Sequence, residues 1–95
     1  NSLQAVERDF AFLFNNNITA IDIIKTVKKI DKKRIKEVTI FDVFVDEKLF
    51  KNMKSIAFKV ILQPKDTTFT DAEIAQLSKI IIDNISTLLG GQLRK

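Results

Sequence analysis

An α+β sandwich, two helices laid over one face of a four-stranded antiparallel sheet, is the fold class this chain predicts. Three observations lead there. Runs near the start and in the middle alternate side chains at period two, the mark of strands with one buried face. Two other segments carry apolar residues at helical spacing behind Thr-x-x-acid signals. These elements come in the order strand, helix, strand, strand, helix, and a Gly-Gly pair then precedes one last short run.

Residues 5–14 alternate, with Phe10, Phe12 and Phe14 on one face and Asp9, Ala11 and Leu13 on the other. Large aromatics at this spacing read as a strand with a buried Phe face. Asn15-Asn16-Asn17 is a turn, because Asn tolerates left-handed geometry and bonds its own backbone. Thr19-Ala20-Ile21-Asp22 has capping-box spacing, with Asp in place of the usual Glu. Ile21, Ile24, Val27 (or Lys28) and Ile30 make the expected inward stripe of the helix that follows. Lys25, Lys28 and Lys29 crowd its last turns, where they complement the helix dipole. The basic run Lys28 to Lys36 has that ordinary explanation and a sharper one, phosphate binding.

Residues 35–46 predict a long second strand. Strict alternation puts Val38, Ile40, Asp42 and Phe44 on one face and Phe41, Val43 and Val45 on the other. Residues 47–54 form a polar hairpin loop. A third strand, 55–63, carries Ile56, Phe58, Val60 and Leu62 on one face and Ser55, Ala57, Lys59, Ile61 and Gln63 on the other. Such a contrast sets a buried face against a half-solvated one. Phe10, Phe12, Phe58 and Val60 are expected in the core. Pro64 ends this strand, since it cannot donate to the ladder. Thr70-Asp71-Ala72-Glu73 is a full capping box, and the helix it opens should face Ile74, Leu77, Ile81 (with Ile80), Ile85 and Leu88 inward. Gly90-Gly91 stops it, and Gln92-Leu93-Arg94 suffices for a short last strand.

This order is the split βαβ, ferredoxin-like arrangement, a βαββαβ sandwich whose second sheet face stays open. RNA-recognition modules stack bases on an open face of this kind. With 95 residues, 45% of them hydrophobic, the chain makes one domain, residues 1–95, read as cut from a longer protein. It has no Cys and no His, which removes disulfides, thiolate or imidazole metal sites and histidine acid–base chemistry. No pair of carboxylates, lysines or hydroxyls stands at a mechanistic spacing. No apolar run approaches the roughly 18 residues of a membrane span. The net charge of +4 leans weakly toward an anionic partner.

The chemistry concentrates in two short runs. In Phe41-Asp42-Val43-Phe44 an acid and an aromatic sit two apart, and Ser55-Ile56-Ala57-Phe58 offers a hydroxyl and an alanine at the same spacing. A ring can stack on the aromatic while the polar groups read its edge. An ordinary sheet with one polar face gives the same pattern.

Taken together, five segments resemble the C-terminal ferredoxin-fold anticodon-binding domain of bacterial phenylalanyl-tRNA synthetase β subunits. They are Val6-Glu7-Arg8-Asp9-Phe10-Ala11-Phe12, Phe41-Asp42-Val43-Phe44, Lys54-Ser55-Ile56-Ala57-Phe58, Thr68-Phe69-Thr70-Asp71-Ala72-Glu73-Ile74 and Gly90-Gly91-Gln92-Leu93-Arg94. The resemblance implies a module that binds the anticodon stem-loop of phenylalanine tRNA. By it, Phe44 stacks the first anticodon base, Asp42 contacts that base, and Ser55 follows the remaining lysine, Lys54. Ala57 and Lys59 complete the candidate RNA-binding set. The family often reads Gly-Lys-Lys-Ser where this chain has Asn52-Met53-Lys54-Ser55, so one loop cation is missing. The resemblance further implies a non-catalytic part of a class II phenylalanine–tRNA ligase, cytoplasmic and away from membranes. Its partners would be the α subunit and the rest of the β subunit in an α2β2 assembly, with the isolated domain monomeric. ATP and magnesium would serve the full enzyme, and this domain would hold no cofactor. The alternative is a stand-alone ferredoxin-like module that binds a small molecule or dimerises through its open sheet.

Overall fold

The computed structural model describes residues 3–94; Asn1, Ser2 and Lys95, which belong to the expected domain span, lie outside the described residues. The elements are β1 (Val6–Asn15), α1 (Ala20–Lys28), β2 (Ile35–Phe44), β3 (Met53–Leu62), α2 (Asp71–Leu89) and β4 (Gln92–Leu93). They form one antiparallel sheet in the order β2-β3-β1-β4, the ferredoxin-like α+β topology expected from the element order.

The core forms where the strand period meets the helix period. Phe10, Phe12 and Phe14 of β1 and Ile56, Phe58, Val60 and Leu62 of β3 join Ile23 and Val27 of α1 and Leu77, Ile81 and Ile85 of α2 in one buried cluster. Phe10 and Phe12 each stack on Phe58, with centroids 5.5 and 6.0 Å apart. Both capping boxes are closed, at Thr19 with Asp22 and at Thr70 with Glu73. The backbone hydrogen bond from Thr19 holds the Asp22 carboxyl below its ordinary pKa.

Each helix buries a slightly different stripe from the expected one. Ile21 of α1 is 57% exposed, and Ile23 and Val27 carry the contact instead. With capping at Thr19, Ile21 falls in the first turn, on the outer side, while Ile24 and Ile30 flank the buried pair. At the end of α2, Leu88 is 65% exposed and Leu89 packs against the core. Leu77, Ile81, Ile85 and Leu89 repeat every four residues, and that row is the one the sheet covers. Gly90 then takes the left-handed conformation, φ 67°, at the C-cap. Gly91 serves by its size, since a Cβ there would lie 2.8 Å from both Ile85 Cγ2 and Phe14 Cε1.

Strand β2 departs from strict alternation, and the departure decides the functional face. Its pairing with β3 slips between Ile35 and Glu37 and again between Ile40 and Asp42, leaving Lys36 and Phe41 as extra, bulged residues. Residues directly opposite in an antiparallel pair share a face. Val38 and Ile40 oppose Val60 and Phe58 and therefore face the helices. Asp42 and Phe44 oppose Ala57 and Ser55 and face the open side, while Val43 opposite Ile56 returns to the helix side. The expected single face holding Val38, Ile40, Asp42 and Phe44 is thus split in two by one inserted residue. Strand β2 also ends at Phe44, two residues early, because Asp46 starts a turn. Its carboxylate accepts from the Lys48 and Leu49 amides, and its carbonyl from those of Leu49 and Phe50.

Candidate nucleic-acid interface

The helix-free side of the sheet is ordered in rows that follow from the registers. Leu13, Ser55 and Phe44 lie in one row across β1, β3 and β2, with Gln92 of β4 beside Leu13. Ala11, Ala57 and Asp42 lie in the next, and Asp9, Lys59 and Thr39 in the third. The two alanines leave a shallow floor beside the Asp42 carboxylate, and Phe44 is the next residue of that face along β2. No helix covers this side, so a planar ligand can approach it from solvent.

Phe44 is 43% exposed and meets Phe50 edge-on, centroids 6.0 Å apart. The T-shaped contact holds the Phe44 ring in place while leaving it 43% exposed. Asp42 is exposed, and among the described residues its carboxylate accepts no hydrogen bond and enters no ion pair. Lys59, the neighbour best placed to neutralise it, bonds Glu7 instead at 3.3 Å. Asp42 therefore presents both oxygens as unused acceptors.

Ser55 lies on the expected face but is only 5% exposed. Arg94 covers it, donating from Nη1 to Ser55 Oγ at 2.9 Å. The same guanidinium lies 5.2 Å from the Phe50 ring centroid, a cation–π distance. Arg94 reaches this position because its amide donates to the Ala11 carbonyl at 2.8 Å, continuing the β4 pairing by one residue. Arg94 and Phe50 are the members of this cluster that reading the candidate site from alternation misses. For Arg94 a signal existed, since it shares the parity of Gln92 at the end of the closing Gly-Gly motif. Phe50 sits in a polar loop whose path only folding supplies.

Lys54 is not brought together with the others. It opposes Phe14, a core residue, and so has the parity of the helix side. Its Nζ donates to the Asn16 carbonyl at 3.1 Å and ties the hairpin loop to the β1–α1 turn. At the loop end Asn52 takes φ 60°, the left-handed conformation that Asn adopts more readily than most residues other than Gly. Among the described residues no group of three or more carboxylates is placed to hold a metal ion, and no helix is long and apolar enough to cross a membrane.

The sequence profile of the ferredoxin-fold anticodon binding domain matches residues 2–94. The chain belongs to that family. Curated relatives agree with the placement. The phenylalanine–tRNA ligase β subunit of Nitrobacter winogradskyi is 38% identical over 93 residues, covering 98% of this chain. That of Brucella abortus is 41% identical over 91 residues, 96% of the chain, and that of Bartonella henselae 39% over 94 residues, 99% of the chain. The chain spans 11–12% of the length of these relatives. In this member of the anticodon-binding family, the open sheet face carries the exposed ring, the unpaired carboxylate and the arginine within a few side chains of one another.

Proposed function

We propose that this chain is the tRNA-reading module of a phenylalanine–tRNA ligase β subunit and binds the anticodon stem-loop of phenylalanine tRNA on its open sheet face. The observation that carries this reading is the unpartnered Asp42 carboxylate one row from the exposed Phe44 ring, over a floor of Ala57 and Ala11. A base stacked on Phe44 brings its Watson–Crick edge toward Asp42. Guanine offers that carboxylate two donors, its ring N–H and its amino group, whereas adenine pairs a donor with a ring acceptor that the carboxylate repels. Arg94 and Lys59 serve the flanking backbone, and Ser55 acts by holding Arg94.

The module acts by recognition alone, within a class II synthetase of α2β2 form in the cytoplasm. ATP, magnesium and the α subunit belong to the aminoacylation machinery elsewhere in that assembly. Family membership supports this reading, as do the β-subunit relatives.

Titration of wild type and Asp42→Asn with two stem-loops, bearing G or A at the first anticodon position, tests it. The substitution should weaken the G loop by roughly 1.5–3 kcal/mol, the worth of a charge-assisted bond shielded from water, and leave the A loop nearly unchanged. Equal losses for both loops, or none, would remove Asp42 as a base reader. Binding of neither loop together with self-association through the sheet would favour a dimerisation module.

A further inference from the structure

A basic groove lies on the helix side of the sheet. The C-terminal half of α1, the following turn and the start of β2 enclose an open groove of about 390 Å³. Lys25, Lys28, Lys29, Lys32 and Lys36 rim it, above a floor of Ile24 and Ile35. All five lysines are exposed, and none forms an ion pair among the described residues. Among the described residues no carboxylate lines the groove. Of the acids adjacent to the rim in sequence, Asp31 is turned to Arg34 at 2.6 Å and Glu37, opposite Ile61 on the other sheet face, accepts from the Thr39 hydroxyl at 3.2 Å; Asp22 is engaged in the Thr19 cap.

The groove beside it shows what an unremarkable polar surface looks like in this molecule. There Lys33, Arg34 and Lys65 are balanced by Asp31, Asp66 and Glu73. Helix-dipole complementarity accounts for the lysines of the last turn of α1, but not for Lys32 and Lys36, which lie beyond the helix. Lys36 is moreover one of the two bulged residues of β2, and a bulge on an edge strand re-aims the side chain it inserts. Five like charges around one concavity repel each other unless an anion joins them.

We infer that this groove binds the phosphodiester backbone of RNA, as a second contact independent of base identity. Lysines act as point charges toward phosphate and need no fixed orientation, which fits a rim of flexible ammonium groups. Phe44 lies at the far end of β2 from Ile35, and nine residues of strand span roughly 30 Å. A polyanion that engages both places must span at least that distance, which a trinucleotide does not. The inference shares with the proposed function the choice of RNA as ligand, and it stands or falls separately from base reading by Asp42 and Phe44.

The test compares wild type with the double variant Lys28→Ala/Lys32→Ala, both checked for unchanged melting. The probes are a long RNA hairpin, an unpaired trinucleotide and a poly-glutamate peptide, each titrated over a range of salt. The hairpin should bind the variant more weakly, with a log–log salt slope smaller by about two, one unit for each phosphate contact removed. The loss should be the same for G and A loops, and the trinucleotide should be unaffected. An unchanged salt slope for the hairpin overturns the inference. So does loss confined to poly-glutamate, which would assign the groove to an acidic protein segment. If Asp42→Asn shows no base preference while the lysine variant loses salt slope, the groove remains a phosphate site and only base reading fails.

Discussion

Phe44→Ala removes a ring that is 43% exposed and meets Phe50 in a T-shaped contact. The fold has little at stake in it, because Phe44 lies outside the buried cluster. The variant should melt close to wild type while stem-loop binding weakens by about 1–3 kcal/mol, the worth of one base–aromatic stack. Calorimetric titration beside a thermal melt separates the two effects; a large drop in melting with unchanged affinity would make Phe44 a structural residue. At this scale Asp42, Phe44, Ala57 and Lys59 were legible as a polar and aromatic set, since residue type and local spacing are properties of the chain alone. Ser55 was legible as a face but not as a covered one. Arg94, 39 residues away in sequence, does the covering, and no local pattern carries that distance.

The β-bulge at Phe41 governs whether the site exists. Without it, regular alternation keeps Asp42 and Phe44 in step with Val38 and Ile40, which face the helices. Deleting Phe41 places Asp42 directly after Ile40, so regular alternation still holds Asp42 and Phe44 opposite Ala57 and Ser55 on the open face; the variant should unfold cooperatively and keep stem-loop binding, as seen by circular dichroism and gel-shift titration. Lost affinity in a cooperatively folded deletion variant would show that the site needs the bulge for more than the face it sets.

The α1–β2 turn gives the second expectation for an element. Burial disfavours the charged form of Asp31, but hydrogen bonds from the Arg34 side chain and backbone outweigh it and hold the carboxyl below its ordinary value of 3.8. A carboxylate whose pKa is depressed by folding contributes stability that is present above that ordinary value and is lost as pH falls through the depressed one. Asp31→Asn should accordingly be less stable than wild type at neutral pH. The gap should close in acid below the folded-state pKa, measured as denaturant midpoints across pH. A gap that persists unchanged in acid would mean the carboxylate's charge is not what stabilises the turn.

For the whole molecule, the centre of stability is the Phe10–Phe58–Phe12 stack, in which Phe58 is 0% exposed. Phe58→Ala should cost about 3–5 kcal/mol through lost burial and the cavity left behind. A domain this small has on the order of 5–15 kcal/mol in total. The variant should populate unfolded forms at room temperature or melt far below wild type. A soluble variant with near-normal melting would contradict the placement of this ring at the core.

The sequence by itself determined the element order, both capping boxes, the buried Phe row of β1, the buried apolar row of β3 and the Gly-Gly stop. Each rests on interactions within a few residues, or on a period that one strand or helix expresses alone. It also carried enough resemblance, in five ordered segments, to point to the anticodon-binding family. Only the tertiary structure decided which way β2 presents Asp42 and Phe44, because a bulge is defined against a partner strand and leaves no periodic trace in its own. The same holds for Arg94 over Ser55, for Lys54 turned to the β1–α1 turn, and for five lysines from a helix, a turn and a strand gathered around one groove. Those arrangements join residues that are distant in the chain or displaced by a bulge, and only the folded chain brings them into contact.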